Sequence, residues 1–187
     1  MDCGKCGTAF CWLCLSLLRT HQEPHTCNMY DPVADRSDAD DEDARALFFT
    51  GRYDAHDEAQ IVAQRQCKEL QHSADKMESR FPYVSNEQYS TLFEATETLV
   101  KARSFLKFSY VAAWARPDKS FFEIYQSTLE SVTERVNYMT ERHLDRIFHE
   151  DGPYGIDLHF RALSFHMSSL NQYMDRMMHL MNDRERD

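Results

Sequence analysis

The stretch SNEQYSTLFEATETLVKARSFLKFSYVAAW, residues 85–114, favours a single long helix. Ser85 followed three residues later by Gln88 is typical of a capping box at a helix start. Behind it, residues suited to one helix face recur every three or four positions, namely Leu92, Thr96, Leu99, Arg103, Leu106, Tyr110 and Trp114. Pro117 then ends the pattern. The stretch predicts a helix of about 45 Å, which implies an elongated bundle.

Helical patterns also fill the sequence on both sides of this stretch. Before it, residues from Ala44 to about Arg80 predict a first long helix ended by Pro82, with a face that includes Leu47, Phe48, Val62, Leu70, Ala74 and Met77. After it, Ser120 and Glu123 predict the cap of a third helix, whose periodic residues are Tyr125, Leu129, Val132, Val136, Met139, Leu144 and Ile147. A break at residues 150–155 precedes a fourth helix with a seam of Leu163, Met167, Leu170, Met174, Met177 and Met181. We interpret the methionines as core residues. The fold class predicted is mainly α, with about four long helices.

Composition and charge exclude several classes of protein. The chain has 187 residues, 42% of them hydrophobic, and a formal net charge of −10. A strongly acidic chain is poorly suited to nucleic acid, because phosphates are bound by lysine and arginine. No run of about 18 apolar residues predicts a membrane span, and the N-terminus lacks the pattern of a secretory signal. We therefore expect a cytoplasmic protein, with the nucleus as the alternative, that binds neither nucleic acid nor membrane.

Five cysteines and two histidines are concentrated in residues 3–27. The two CxxC pairs, Cys3/Cys6 and Cys11/Cys14, are followed by His21 and Cys27, a pattern typical of zinc ligands. In a reducing compartment such a cluster favours metal over disulfides. The segment predicts a small zinc-stapled module ahead of the bundle.

The ligands can be divided in two ways. One scheme joins Cys11, Cys14, a histidine and Cys27 around one Zn²⁺ and leaves Cys3 and Cys6 as half of a second site. The other places all four CxxC cysteines on one ion, but only four residues then separate the pairs, and zinc sites usually have a dozen or more. We prefer the first scheme, in which the partners of Cys3 and Cys6 lie upstream of Met1 in a longer polypeptide.

The N-terminal segment resembles the end of the catalytic second RING of the RBR (RING-between-RING) ubiquitin ligases. The resemblance rests on F-C-W-x-C-L at 10–15, a following histidine, and C-N-x-Y at 27–30. The remainder is similar to the helical domain of the Ariadne subfamily, on the motifs R-x-L-F-F-x-x-R-Y-x-x-H at 45–56, A-R-x-x-L-K-x-S-Y at 102–110 and L-E-x-x-T-E at 129–134. Together, the two resemblances imply a second-RING tail at 1–30, an acidic linker and helix start at 31–44, and an Ariadne-like domain at 45–187.

The resemblance also implies particular roles for residues. In the family, ubiquitin passes from a conjugating enzyme to a cysteine of the second RING and then to a substrate amine, and the helical domain holds the catalytic domain inactive. The nucleophile's motif, C-N-H-M-x-C, matches only at its end, so the catalytic cysteine is expected upstream of Met1 and this chain alone is expected to be inactive. Family spacing favours His21 over His25 as the zinc ligand. Glu134 falls at an inhibitory position, whereas Val62-Ala63 departs from a second one, an aromatic residue followed by Glu.

One alternative function belongs to another class of protein. The chain could be a non-catalytic adaptor of zinc module and helices that docks a protein partner such as a cullin-type ligase complex. The upstream gene sequence discriminates between the two, since a C-N-H motif just before Met1 supports the ligase and a true start codon at Met1 supports the adaptor.

Overall fold

The computed structural model describes residues 41–73, 84–115, 120–149 and 156–182, together with Thr8 and Leu17. Apart from these two, every described residue except Val84 and Ser85 lies in one of four helices. These are α1 (Asp41–Ser73), α2 (Asn86–Ala115), α3 (Ser120–His149) and α4 (Ile156–Asn182). The mainly α prediction is confirmed for this part of the chain, whereas the ligands of the predicted zinc module lie outside the described residues. No helix among the described residues is long and apolar enough to cross a membrane.

The predicted start of α2 is confirmed in detail. The Ser85 backbone N–H donates to Gln88 Oε1 at 2.9 Å, and the Gln88 N–H donates to Ser85 Oγ at 3.2 Å. This reciprocal pair satisfies two amide donors that the helix itself leaves unpaired at its first turn.

Helix α2 is the central element of the bundle, because α1, α3 and α4 all pack against it. It runs antiparallel to α1: Tyr89 near its start donates to the Leu70 carbonyl near the end of α1, and Arg45 near the start of α1 donates to the Trp114 carbonyl at 2.6 Å. Helix α4 also packs against α3.

The core forms where these helices meet. Its fully buried leucines come from all four helices and include Leu70, Leu92, Leu99, Leu106, Leu129, Leu163 and Leu170. The methionine seam of α4 is buried at Met167, Met174 and Met177, which confirms that it is a core face. A smaller cluster of Phe49, Tyr110 and Ala113 lies between α1 and α2.

The predicted inner face of α1 is wrong at two positions, and that of α2 is wrong at one. Leu47 is 68% exposed, and Val62 and Trp114 also face solvent. The buried stripe of α1 consists instead mainly of small or polar residues, among them Arg52, His56 and Ala63. Because α1 packs mainly on α2, only a narrow stripe is covered, and large apolar residues beside it stay exposed.

Candidate functional site: a buried polar network across three helices

Helices α1, α2 and α3 contribute polar side chains to one buried cluster, centred on His56. The His56 Nδ1 atom lies 3.3 Å from Arg103 Nη1, and its Nε2 atom lies 3.2 Å from Glu130 Oε1. A guanidinium only donates hydrogen bonds, so Nδ1 must accept, and the proton of a neutral His56 ring belongs on Nε2, facing Glu130. The Nε2 and Oε1 atoms are not aligned as a hydrogen bond, so the contact is an electrostatic one.

Glu130 is a completely buried carboxylate on α3. Tyr110 of α2 donates a hydrogen bond of 2.6 Å to its Oε2 atom. The Tyr110 ring also stacks on the His56 imidazole, with centroids 5.5 Å apart and planes 19° apart. A buried carboxylate is costly unless polar groups offset its charge. Here Tyr110 donates to Oε2, and the His56 ring lies 3.2 Å from Oε1 in an electrostatic contact.

Arg103 connects this cluster to the surface. Its Nη1 atom donates to Glu134 Oε1 at 2.7 Å, one helical turn beyond Glu130 on α3. Arg103 is buried, whereas Glu134 is partly exposed. The carboxylate predicted as a regulatory group is therefore fixed by a buried guanidinium and does not extend freely into solvent.

A second polar link joins α2 and α3 beside Tyr110. Gln126 Nε2 donates to Ser109 Oγ at 2.7 Å, and Ser109 Oγ donates to the Leu106 carbonyl at 2.7 Å. All of these side-chain atoms are buried, so the two links together fix the register between the helices.

Glu141 lies further along α3, and the charges of Glu134 and Arg103 in the network affect its pKa. Burial raises the pKa of Glu141 above its ordinary value of 4.5, and the negative charges of Glu134 and Asp145 raise it further. A hydrogen bond with the Asn137 side chain and the charge of Arg103 act in the opposite direction. The net effect makes Glu141 easier to protonate than a solvated glutamate.

The chemistry available to this network is binding and positioning. It contains no cysteine or serine beside a base, and no group of three metal-ligating side chains exists within the described helices. The sixth cysteine, Cys67, is half-buried on α1 and free. The network therefore stabilises the contact of three helices and holds one carboxylate, Glu134, at the surface.

The structure covers one part of the predicted site and not the other. Glu134 is described, but the predicted zinc ligands Cys3, Cys6, Cys11, Cys14, His21 and Cys27 lie outside the described residues. Sequence reasoning did not identify His56 and Glu130 as buried partners. A signal was present, since both belong to the motifs at 45–56 and 129–134, and Arg103 falls on the periodic face of α2.

Comparison with known proteins connects this helical domain to a family. No family model matches the chain. It is 31% identical over 160 residues, 78% of its length, to the probable E3 ubiquitin-protein ligase rbrA of Dictyostelium discoideum. It is 29% identical over 76% of its length to the E3 ubiquitin-protein ligase ARIH2 of Mus musculus, and 28% identical over 76% to the E3 ubiquitin-protein ligase dbl4 of Schizosaccharomyces pombe.

The chain therefore belongs to the family of RBR ubiquitin ligases. More particularly, the chain is related in sequence to the Ariadne-type members, over the C-terminal part of those proteins. The family predicted from the sequence is thereby confirmed. The chain spans about a third of the length of these relatives: 31% of rbrA, 31% of ARIH2 and 30% of dbl4. The relatives give no support to a cullin-type partner.

Proposed function

We propose that the chain is the C-terminal part of an RBR-type ubiquitin ligase that passes ubiquitin from a conjugating enzyme, through a cysteine, to a substrate amine. The observation that carries this proposal is the 31% identity to rbrA over 78% of the chain. Transfer through a cysteine divides the reaction into two steps, in each of which a nucleophile attacks a thioester. The substrate would be a protein amine and the donor a ubiquitin thioester.

In this proposal the N-terminal segment supplies a structural zinc site. Cys11, Cys14, His21 and Cys27 form a Cys₃His donor set, which suits a closed tetrahedral Zn²⁺ site. Cys3 and Cys6 supply half of a second site. The zinc would contribute folding free energy to a segment with too few residues for a core of its own.

The helical domain is proposed to regulate the catalytic domain through Glu134. Two observations support a role for this carboxylate beyond that of a solvated surface charge: the 2.7 Å contact with Arg103 and the buried network behind it. Residues 62 and 63 offer no equivalent group, since Val62 is apolar and Ala63 is buried. The proposal therefore assigns regulation to Glu134 alone among these positions.

Two experiments test the proposed function. Incubated with a ubiquitin-loaded conjugating enzyme, this chain should form no reductant-sensitive ubiquitin adduct, because it contains no C-N-H motif. The protein expressed from the complete gene should form one. If this chain alone accepted ubiquitin as a thioester, the assignment of the nucleophile would be wrong.

The second experiment tests Glu134 in the protein expressed from the complete gene. Glu134→Gln should raise its rate of self-ubiquitination severalfold, because the neutral amide weakens an inhibitory contact. Asp145→Asn removes a charge from an exposed position of the same helix and is the matched control. Equal rates for both variants and the unmodified protein would contradict the regulatory role of Glu134.

A further inference from the structure

An apolar groove lies between the first half of α1 and the end of α2. Its volume is about 350 Å³, and it is lined by Ala46, Phe49, Thr50, Tyr53, Val111 and Trp114. None of these residues belongs to the polar network described above. The α1 residues follow the spacing of one helix face, so the groove runs along the helix axis.

Arg45 fixes one end of this groove. Its Nη2 atom donates to the Trp114 carbonyl at 2.6 Å and lies 3.5 Å from the Ala113 carbonyl. The guanidinium carbon also lies 5.4 Å from the centre of the Phe49 ring. The start of α1 is thereby tied to the end of α2.

Lys107 fixes the other end. Its Nζ atom binds Asp57 Oδ1 at 2.6 Å and lies 5.7 Å from the Tyr53 ring centre and 5.3 Å from that of Phe108. The two aromatic rings meet edge to face at 6.1 Å. The cations at the two ends therefore contact two of the aromatic rings that line the groove, Phe49 and Tyr53.

The surroundings of the groove are apolar and solvent-exposed. Val111 and Trp114 in its wall, and Phe108, whose ring contacts the lining residue Tyr53, are large hydrophobic residues with high exposure. Exposed large apolar side chains grouped at a groove are typical of an interaction surface.

The exposed charges along α1 at the groove are negative. Glu42 and Asp43 lie one turn before Ala46, and Asp54 lies one turn after Thr50; all three are exposed. None of them forms an ion pair within the described part of the chain. Among the described residues, the cations that contact the groove lining, Arg45 and Lys107, are already engaged as described above. Glu42, Asp43 and Asp54 therefore form an acidic rim along the α1 side of the groove and present carboxylates to a ligand.

We propose that this groove binds an amphipathic helix of a partner protein, with apolar anchors at helical spacing and lysine or arginine beside them. The apolar floor would take the anchors, and the carboxylates of Glu42, Asp43 and Asp54 would attract the basic flanks. A second copy of this chain is a poor occupant, because it carries the same acidic rim and a net charge of −10. This surface is separate from Glu134, and the inference does not depend on the proposed ligase function.

A synthetic amphipathic peptide of leucine and lysine is the probe, and the same peptide with glutamate for lysine is its counterpart. Fluorescence anisotropy with the full chain should show binding of the basic peptide and not of the acidic one. Val111→Glu, which places a charge in the groove, should weaken binding by roughly tenfold or more. Phe165→Glu makes the same change at an exposed apolar site on α4 and should leave binding unchanged.

The double variant Asp43→Lys with Asp54→Lys tests the charge argument. It should lose the basic peptide and gain the acidic one, while its circular dichroism matches that of the unmodified chain. Several results would overturn the proposal: no binding of the basic peptide, equal weakening by Phe165→Glu, or no effect of the charge reversal.

Concentration-dependent dimers that Val111→Glu abolishes would show that the groove is an interface between copies. A photo-cross-link from position 111 to residues 1–40 would assign the groove to the chain's own N-terminal segment.

Discussion

Tyr110 and Glu130 meet inside the bundle, where the phenol of α2 donates a hydrogen bond of 2.6 Å to a carboxylate of α3 that solvent does not reach. The same tyrosine ring stacks on His56 of α1. One side chain therefore connects all three helices, and its polar and apolar parts serve different neighbours.

Removing the Tyr110 hydroxyl should destabilise the domain. Tyr110→Phe keeps the ring but takes a donor from the buried Glu130 carboxylate, so we expect the free energy of unfolding to fall by about 1–3 kcal/mol. Urea denaturation followed by circular dichroism measures the change. Tyr138→Phe at an exposed position of α3 is the control and should cost less than about 0.5 kcal/mol. Equal costs would show that the phenol contributes nothing to Glu130.

Two ion pairs of similar length should differ in energy because they differ in burial. The Arg103–Glu134 pair measures 2.7 Å with side chains 3% and 25% exposed, and Lys107–Asp57 measures 2.6 Å with 12% and 42% exposed. Double-mutant cycles with Arg103→Met and Glu134→Gln should give a coupling energy of roughly 1–3 kcal/mol. The cycle with Lys107→Met and Asp57→Asn should give about 0.2–1 kcal/mol. A larger coupling for the Lys107 pair would contradict this ranking.

Glu141 should make stability depend on pH in a predictable direction. Its raised pKa means that the ionised form is disfavoured in the folded state, so ionisation near neutral pH costs stability. As the pH falls through the raised pKa, the folded state takes up the proton first and the penalty disappears. Glu141→Gln should therefore raise the free energy of unfolding at pH about 7 and lose this advantage below the ordinary value of 4.5.

The control for Glu141 is Glu97→Gln, at an exposed position of α2, which measures the general effect of removing one negative charge. Chemical denaturation of both variants at a series of pH values gives the comparison. If Glu141→Gln lowered stability at neutral pH, the burial argument would be incorrect.

The leucine and methionine seam of α4 should contribute strongly to stability. Leu170 is completely buried, and its truncation in Leu170→Ala should cost about 2–5 kcal/mol through lost burial and the cavity left behind. Met178→Ala, at an exposed position of the same helix, should change stability by less than about 0.5 kcal/mol. Thermal melts of the two variants distinguish a packed seam from a solvated one.

Zinc analysis tests the ligand assignment in the N-terminal segment. The purified chain should contain one tightly held zinc ion. His21→Ala should release it to a competing chelator far more readily, because a closed site loses one of its four ligands. His25→Ala should retain it. Retention in His21→Ala with loss in His25→Ala would reverse the assignment, and retention in both would favour coordination by the four CxxC cysteines.

Sequence reasoning predicted those features that depend on local pattern. The capping box of Ser85 and Gln88 follows from two residue types at a fixed spacing, and the α4 methionines follow a clear apolar period. Both are properties of single helices, which is why they could be read without a partner.

Features that depend on two helices at once were harder to predict. Leu47 was expected on an inner face of α1 but is exposed, while polar His56 is buried. The burial of His56 depends on Arg103, Tyr110 and Glu130, which lie 47 or more residues further along the chain. A pattern of hydrophobic residues predicts that a histidine lies at the surface. The pattern does not show whether donors and acceptors from distant parts of the chain will bind the histidine in the folded protein.

The hydrogen bond from Arg45 to the Trp114 carbonyl couples the stability of the start of α1 to that of the end of α2. Helix α2 has no basic residue in its own last turn, and the carbonyl of Trp114 receives its donor from a residue 69 positions earlier in the chain. If α1 unwinds as far as Arg45, in its second turn, the last turn of α2 loses that donor and becomes easier to unravel. Fraying at either terminus should therefore be a joint event, and the opening and closing of this end of the bundle should occur as a single cooperative unit.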